Sequence, residues 1–265
     1  MDLQLKGKSV FISGSTAGIG FGVAKTFLQE GASVIINGRS EKSVDNAIER
    51  LKQLFPSTTI EGLACDFAIA DQVEQLIEKL TNIDILINNV GIYSSQSFFD
   101  TSDQDWKDQL EVNIMSGVRL SKALLPKMIE KDWGRVLFIS SECATLVPAD
   151  LIAYSTTKTA LLGISRGLAQ LTRGTGVTVN TILPGSTMTE GAEQFLKNLA
   201  EKDNKSVAQA ETDFFKDIRT SSLLQRFISV EEIANTIVYF SSPLSAATNG
   251  SAIKVDGGSM GGILW

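Results

Sequence analysis

The chain contains no histidine, and this absence excludes several kinds of active site. Imidazole is the side chain best suited to acid–base work near neutral pH, and HExxH metal sites and Ser–His–Asp triads depend on it. The segment "GISRG", 163–167, fits the G-x-S-x-G pattern of a hydrolase nucleophile, but it lies in a helical run. With no imidazole to activate Ser165, that interpretation fails. Acid–base chemistry in this protein must use other side chains.

The chain also contains few cysteines, has no net positive charge and has no long apolar run. Cys65 and Cys143 form no CxxC pair, so the sequence predicts neither a disulfide framework nor a metal site. The net charge of −6 argues against a nucleic-acid binder, and slightly against docking of an acidic carrier protein. No apolar run approaches the length that crosses a bilayer, and the N-terminus lacks a signal-peptide layout. We therefore expect a cytoplasmic protein that binds neither nucleic acid nor membranes.

What the sequence does contain is an alternation of short apolar runs with helix-length segments. Such runs are typical of buried strands, and the alternation predicts a mostly parallel sheet with helices on both faces. No linker or repeat interrupts it, so we expect one α/β domain over 1–265. The long polar segment at about 190–226 is either a substrate lid, which we favour, or a solvated surface excursion. The expected strands are 8–13, 33–37, 58–65, 84–88, 134–140, 177–183 and 252–256.

A glycine-rich turn follows the first expected strand. Gly14, Gly18 and Gly20 open the first helix, where exposed backbone N–H groups favour phosphate, although their spacing differs from G-x-G-x-x-G. This position in the alternation predicts a dinucleotide site. At the end of the second strand, where NAD enzymes tend to carry an acid, the chain has Gly38 and Arg39. A guanidinium suits a phosphate, so the pair favours NADP(H) over NAD(H), unless Arg39 is only a solvated turn residue.

The stretch "YSTTK" places Tyr154 and Lys158 one turn apart on the same face of a helix. A free phenol titrates at about pH 10, and a neighbouring cation is expected to lower its pKa. The two residues are therefore an acid–base pair that needs no histidine, or two unrelated residues on a helix surface. The pentapeptide alone leaves both interpretations open.

Taken in order, the motifs resemble those of the short-chain dehydrogenase/reductase family, from about Lys8 to Gly258. "SGSTAGIG" is similar to the family's TGxxxGIG turn, "NNVG" to NNAG, and "YSTTK" to YxxxK; "VNIMS" and "GRVLFISS" carry the family's asparagine and serine. "PGSTMT" and "VDGG" resemble the segments at the ends of the last two strands. The resemblance implies a Rossmann-type doubly wound sheet of seven strands in the order 3-2-1-4-5-6-7. The site would then lie beyond the carboxyl ends of the strands.

The same resemblance implies roles for individual residues. Tyr154 would exchange a proton with the substrate oxygen while hydride moves between nicotinamide and the adjoining carbon, and Lys158 would stabilise the phenolate and bond the nicotinamide ribose. Ser141 would bond the reacting oxygen, and Asn113 would hold a water near Lys158. The implied cofactor-binding residues are Gly14, Ser15, Thr16, Gly18, Ile19, Gly20, Arg39, Asp66, Phe67, Asn88, Gly91, Tyr154, Lys158, Pro184, Gly185, Thr187 and Thr189.

These features together predict an NADP(H)-dependent oxidoreductase that interconverts a carbonyl and a secondary alcohol. The resemblance implies a small-molecule substrate and a homotetramer or dimer, packed partly through the helices before Gly134 and after Tyr154. The substrate stays open between a 3-oxoacyl thioester, a sugar or polyol and another ketone, and a non-catalytic dinucleotide-sensing protein is the alternative of a different class. Glu142, directly after the catalytic serine, either contacts substrate hydroxyls or an amine, disfavouring anionic substrates, or is a surface or capping group.

Overall fold

The computed structural model describes residues 1–262, and its centre is a parallel sheet of seven strands. The order β3-β2-β1-β4-β5-β6-β9 confirms the predicted order, since β9 is the seventh strand of this sheet. Two further strands of two residues each, β7 and β8, form a separate parallel pair that the sequence did not predict. Residues 263–265 of the expected domain lie outside the described residues. The strands are β1 (Ser9–Ile12), β2 (Ser33–Gly38), β3 (Ile60–Ala64), β4 (Ile85–Asn88), β5 (Gly134–Ile139), β6 (Val177–Pro184), β7 (Thr187–Met188), β8 (Ile228–Ser229) and β9 (Ala252–Val255).

Within residues 1–262, ten α-helices accompany these strands, and several begin at a capping side chain. Ser40 and Ser229 each accept a hydrogen bond from the third residue of the helix that follows, which satisfies a backbone N–H left free at a helix start. The helices are α1 (Gly18–Gln29), α2 (Glu41–Leu54), α3 (Ala70–Lys79), α4 (Asp103–Leu110), α5 (Ser116–Glu130), α6 (Cys143–Leu146), α7 (Ile152–Leu171), α8 (Glu190–Lys202), α9 (Val207–Asp213) and α10 (Val230–Phe240).

The sheet is covered on both faces, as the alternation of the sequence predicts. Successive residues of a strand point to opposite faces, and in β1 Val10 and Ile12 join one apolar cluster while Phe11 joins the other. The first cluster takes side chains from α1, α2 and α10, and the second takes them from α3, α5 and α7. Ser165 lies inside α7 rather than on a strand–turn–helix, which agrees with rejecting it as a nucleophile.

The segment expected to be a lid is folded around apolar side chains of its own. It consists of α8, α9 and a π-helical turn, Phe214–Ile218. Its buried residues, which include Leu196 and Phe215, form a cluster separate from the two that cover the sheet. The paired strands β7 and β8 lie just before and just after it and hold its ends together. Its role as a lid stays a prediction.

An apolar cavity of about 790 Å³ runs between α5 and α7, along the helices from which subunit contacts were expected. Leu125, Ile164 and Leu168 are among the residues that line it. The oligomeric state stays a prediction. Within residues 1–262, no helix is long and apolar enough to span a bilayer.

The sheet core gives a direct stability prediction. Phe11 is 0% exposed, so Phe11→Ala should lower the free energy of unfolding by about 3–5 kcal/mol through lost burial and a residual cavity. Phe99 is 93% exposed, and Phe99→Ala should change it by no more than about 0.5 kcal/mol. Urea denaturation followed by circular dichroism measures both. Equal effects of the two substitutions would contradict the assignment of Phe11 to the core.

Candidate active site

Lys158 is a buried ionisable side chain at the carboxyl end of β5. It is 4% exposed, and its Nζ donates a hydrogen bond of 2.9 Å to the carbonyl of Ile139, the last residue of β5. A Cβ built on Gly91 would lie 3.2 Å from this Nζ and 3.4 Å from Oδ1 of Asn113. The missing side chain at Gly91 therefore lets the loop after β4 approach both groups.

Asn113 lies in a π-helical turn, Glu111–Met115, between α4 and α5. Its Oδ1 accepts the N–H of Ile92 at 2.7 Å, and its Nδ2 donates to the Ile92 carbonyl at 2.9 Å. The same Nδ2 donates to Oγ1 of Thr157, at 3.0 Å, on α7. Such widened turns are common at functional sites because they redirect a side chain out of the regular helical rows. Asn113 thus joins the loop after β4 to the helix that carries the Tyr–Lys pair.

Tyr154 lies one turn before Lys158 on α7, with its ring half-buried. The Nζ of Lys158 lies 5.5 Å from the centre of the Tyr154 ring, and the ring of Tyr93 meets it edge-on at 5.8 Å. Burial is the main cause that raises the pKa of the Tyr154 phenol above its ordinary value, and Cys143 acts in the same direction. A hydrogen bond with the Ser141 hydroxyl acts in the opposite direction. In the protein alone the pKa of Tyr154 is raised and not lowered, because burial disfavours the phenolate, and a lowering of this pKa by Lys158 stays a prediction.

Burial also lowers the pKa of Lys158 to about 8. Taking an ammonium out of water disfavours its charged form, just as it disfavours a phenolate. The protein alone therefore holds a protonated phenol beside an amine that titrates near neutral pH.

The two adjacent serines have different environments. Ser140 is buried, and its Oγ donates to the backbone carbonyl of Lys158 at 2.8 Å, which is a structural role. Ser141 Oγ accepts the N–H of Cys143 at 3.1 Å and faces the Tyr154 phenol closely enough to hydrogen-bond with it. The structure therefore brings Ser141, Tyr154, Lys158 and Asn113 together at the carboxyl edge of the sheet.

A cavity of about 600 Å³ adjoins these groups and extends along the ends of β1, β2 and β4. A Cβ on Gly38 would lie 2.6 Å from Cγ2 of Thr16, so no acidic side chain fits at this position without displacing Thr16. Arg39 is exposed, and among residues 1–262 no carboxylate forms an ion pair with it. The predicted cofactor-binding residues that line this cavity are Gly14, Thr16, Arg39, Asp66, Phe67 and Gly91.

Two predicted cofactor-binding side chains are directed into the protein instead. Ser15 is 0% exposed, and its Oγ donates to the Ile12 carbonyl at 2.7 Å and accepts the N–H of Asn37. Asn88 is also buried, and its Nδ2 donates to Oγ of Ser121 at 3.4 Å. Both side chains hold strand ends in place rather than lining the cavity.

The other predicted cofactor-binding residues shape the turns around the cavity. Ile19 packs on the core, and a Cβ on Gly20 would lie 2.5 Å from the Gly14 carbonyl. Gly185, which follows the last residue of β6, Pro184, would place a Cβ 2.7 Å from Cα of Asp256. Thr187 bonds the Gly185 carbonyl, and Thr189 caps α8.

Two asparagines that the motifs did not single out hold the glycine-rich turn. Asn37 Oδ1 accepts the N–H of Gly14 at 2.9 Å. Asn89 Nδ2 donates to the carbonyls of Ser13 and Gly14, at 3.0 and 2.7 Å. The position of each asparagine at the end of a strand beside the turn was the available signal, since the carboxyl ends of adjacent parallel strands meet at one edge.

A carboxylate lies at the start of α1, where the sequence predicts phosphate binding. Oε2 of Glu190 accepts the N–H of Gly18 at 3.0 Å, and its other oxygen lies 4.0 Å from the Arg50 guanidinium. The free N–H groups and the dipole of a helix start favour an anion there. The glycine-rich turn therefore takes an anionic group in this structure, and that group comes from the first residue of α8.

Comparison with known proteins agrees with this architecture. The sequence profile of the family described as short chain dehydrogenase matches residues 8–200. The chain belongs to the short-chain dehydrogenase/reductase family. It is therefore an oxidoreductase with a Rossmann-type fold, as the motifs predict.

Individual relatives in this family carry different names. The chain is 46% identical over 258 residues to "Uncharacterized oxidoreductase YvaG" of Bacillus subtilis, covering 97% of this chain and 98% of that protein. It is 29% identical to 3-oxoacyl-[acyl-carrier-protein] reductase FabG of Aquifex aeolicus, covering 97% and 99% of the two chains. A crystal structure of L-sorbose reductase from Gluconobacter frateurii, complexed with NADPH and L-sorbose, matches with a TM-score of 0.92 at 29% identity, covering 99% of this chain and 100% of that one.

The lowered pKa of Lys158 predicts how stability depends on pH in this short-chain dehydrogenase. Its folded pKa of about 8 lies below the ordinary value of about 10.4, so the folded protein is destabilised while the buried amine is charged. This cost disappears as pH rises from 8 towards 10. Relative to Lys158→Met, the wild-type protein should therefore gain about 2 kcal/mol between pH 7.5 and 9.5. Urea denaturation at several pH values measures the difference.

The exposed Lys52 supplies the control for that titration. Lys52→Met should show a stability difference from wild type that does not change with pH. A difference for Lys158→Met that is equally flat over the same range would contradict the lowered pKa.

Proposed function

We propose that the protein is an NADP(H)-dependent oxidoreductase that interconverts a carbonyl and a secondary alcohol, with Tyr154 as the acid–base group. The observation that carries this proposal is the convergence of Tyr154, Ser141, Lys158 and Asn113 beside the glycine-rich turn. Helix α7, the π-helical turn before α5 and the loop after β5 bring these residues to a single edge of the sheet.

The residues around the cavity fit a nicotinamide dinucleotide. A Cβ on Gly14 would lie 2.9 Å from Cα of Val90, so the turn is a close backbone approach that only glycine permits. The start of α1 already accepts a carboxylate from Glu190, which supports a phosphate group at the same N–H. Within residues 1–262 no carboxylate pairs with Arg39, and no acidic side chain fits at the neighbouring Gly38, which together support a 2′-phosphate and hence NADP(H). When bound, the cofactor supplies or accepts the hydride.

The remaining steps belong to side chains of the protein. Ser141 would donate a hydrogen bond to the substrate oxygen, where negative charge develops during reduction. The raised pKa of Tyr154 keeps the phenol protonated at neutral pH, which suits it as the proton donor in that direction. Lys158, with a pKa of about 8, would stabilise the resulting phenolate while charged and help return a proton to it.

The substrate class within this proposal is a 3-oxoacyl thioester, a sugar or polyol, or another ketone. The two proteins named above at 29% identity bear names from the first two classes, and the net charge of −6 disfavours an acidic carrier protein. A non-catalytic dinucleotide sensor is the weaker alternative, because all four polar groups expected of a catalytic site are present, with Lys158 beside the Tyr154 ring and Asn113 bonded to Thr157 on the same helix.

Substitution of Tyr154 tests the proposal. NADPH and NADH consumption is measured against ketones, keto sugars and 3-oxoacyl thioesters, and the reverse reaction against alcohols. Tyr154→Phe should lower kcat by about 100-fold or more, because the proton donor is lost, while NADPH affinity measured by fluorescence is retained. Tyr239→Phe, on α10, is the control and should turn over like wild type. Wild-type turnover in Tyr154→Phe would defeat the assignment.

Substitution of Arg39 tests the cofactor preference. Losing a charge-assisted bond to a phosphate is worth about 1.5–3 kcal/mol, so Arg39→Ala should weaken NADPH binding about 10- to 100-fold and leave NADH binding nearly unchanged. Lys52→Ala, at the far end of α2, is the matched loss of one positive charge and should affect neither. If wild type prefers NADH and Arg39→Ala makes no difference, the NADP(H) preference is wrong.

A further inference from the structure

Glu142 is a buried carboxylate, 3% exposed, immediately after the candidate catalytic Ser141. Its Oε1 accepts a hydrogen bond of 3.0 Å from Nε of Arg219 and one of 3.1 Å from Oγ of Ser186. The Arg219 side chain is itself only 16% exposed. Glu142 occupies the N-cap position of α6, but its side chain makes no capping bond and is neither exposed nor a free carboxylate. Glu142 is one half of a buried ion pair.

The two halves of this pair belong to different parts of the fold. Glu142 lies at the end of β5 in the catalytic loop, residues 140–142, and its N–H donates to the Pro184 carbonyl at 2.8 Å. Arg219 ends the π-helical turn of the segment 190–226, and its N–H donates to the carbonyl of Phe214 at 2.9 Å. The Arg219 guanidinium also lies 5.8 Å from the Phe214 ring centre, and that ring stacks on Phe227. The ion pair therefore joins the lid's own apolar cluster to the catalytic loop.

The positive charge of Arg219 offsets the desolvation cost of burying the Glu142 carboxylate. An ionised carboxylate removed from water is costly unless a partner compensates it, and removing one partner of a buried pair is strongly destabilising. Oε2 of Glu142 is buried and has no hydrogen-bond partner among residues 1–262, which leaves Arg219 as the compensating charge. A lid that lifted away would leave Glu142 without that charge, so the closed position of the lid is favoured.

We propose that Glu142 and Arg219 are positioning residues whose buried ion pair fastens the lid segment 190–226 to the catalytic loop and keeps the substrate end of the site electrically neutral. This inference rests on the proposed function for its meaning in catalysis. In the paired state, Glu142 does not select against anionic substrates as a free carboxylate would, because the guanidinium offsets its charge.

The first experiment measures how readily the lid segment opens locally, by hydrogen–deuterium exchange of the backbone amides of 190–226, and it needs no enzymatic turnover. Arg219→Met should speed exchange in this segment about tenfold or more, because the fastening is lost and local opening becomes easier. Glu142→Gln/Arg219→Met should exchange more slowly than Arg219→Met, since the uncompensated carboxylate is gone. Arg226→Met is the matched control, because the Arg226–Glu232 pair is exposed, at 48% and 44%, and its loss should not loosen 190–219. Exchange in 190–219 that is unchanged in Arg219→Met would overturn the proposal.

The second experiment compares kinetics on paired ketones that differ only by a carboxylate. Arg219→Met should raise KM about tenfold and lower kcat/KM more for the anionic ketone than for the neutral one, while Glu142→Gln should shift that ratio in favour of the anionic ketone. An equal loss on both ketones in both variants would overturn the proposal that the ion pair neutralises charge at the site.

The two proposals can fail separately. If wild type reduces no carbonyl compound but hydrogen exchange in 190–226 responds as expected, the proposed function is wrong and the role of the ion pair is supported. If turnover depends on Tyr154 but the Glu142 and Arg219 substitutions change neither hydrogen exchange nor KM, the proposed role of the ion pair is wrong and the proposed function is unaffected.

Discussion

The hydrogen bond from the Lys158 ammonium to the Ile139 carbonyl is the contact on which the geometry of the site depends. Ile139 ends a central strand, and Lys158 lies on the long helix α7 that packs across the sheet. The bond fixes how α7 is turned about its own axis. Because residues one turn apart share a helix face, it also fixes the direction of Tyr154. The bond from Ser140 Oγ to the Lys158 carbonyl holds the same pair of elements from the other side.

Burial at this point explains how a chain without histidine places an ionisable group near neutral pH. Desolvation moves the two pKa values in opposite directions, raising that of Tyr154 and lowering that of Lys158 to about 8. In the protein alone, the amine rather than the phenol titrates closest to physiological pH. At physiological pH the Tyr154 phenol is therefore protonated and able to donate its proton. The Lys158 amine, with its pKa of about 8, is the group that can exchange protons at this pH. The sequence spacing identifies the pair, but only the burial assigns these protonation states.

Most of the fold is readable from local sequence patterns, because each pattern reflects a local physical requirement. The seven apolar runs correspond to the seven strands of the large sheet within about two residues at each end, and the glycine-rich turn follows β1 as expected. The two-residue strands β7 and β8 were missed, since two residues carry no periodicity. The π-helical turn around Asn113 was missed as well, because nothing in "EVNIM" differs from an ordinary helical run.

The unpredicted features of the site are contacts between residues far apart in sequence. No local pattern connects Gly18 with Glu190 or Glu142 with Arg219, and Asn89 was read as part of a motif rather than as the support of the Gly14 turn. The raised pKa of Tyr154 in the protein alone is not predictable from spacing for the same reason, since desolvation depends on everything packed around a group and not on its neighbour in the chain. The spacing of residues in the sequence indicates which side chains lie close together. How far those side chains are shielded from water depends on the whole fold.

Two carboxylates lie at contacts between the segment 190–226 and the residues around the site, and they differ in what can replace them. The Glu190 side chain is 60% exposed and 4.0 Å from Arg50, so its hold on the Gly18 N–H is screened by water and open to competition from any anion that binds the helix start more strongly. Glu142 is 3% exposed, and water cannot readily take the place of Arg219 beside it. The contact of Glu190 with the glycine-rich turn is therefore exchangeable, while the contact of Arg219 with Glu142 is not. This asymmetry makes Arg219, rather than Glu190, the side chain that holds the segment 190–226 to the residues next to Ser141.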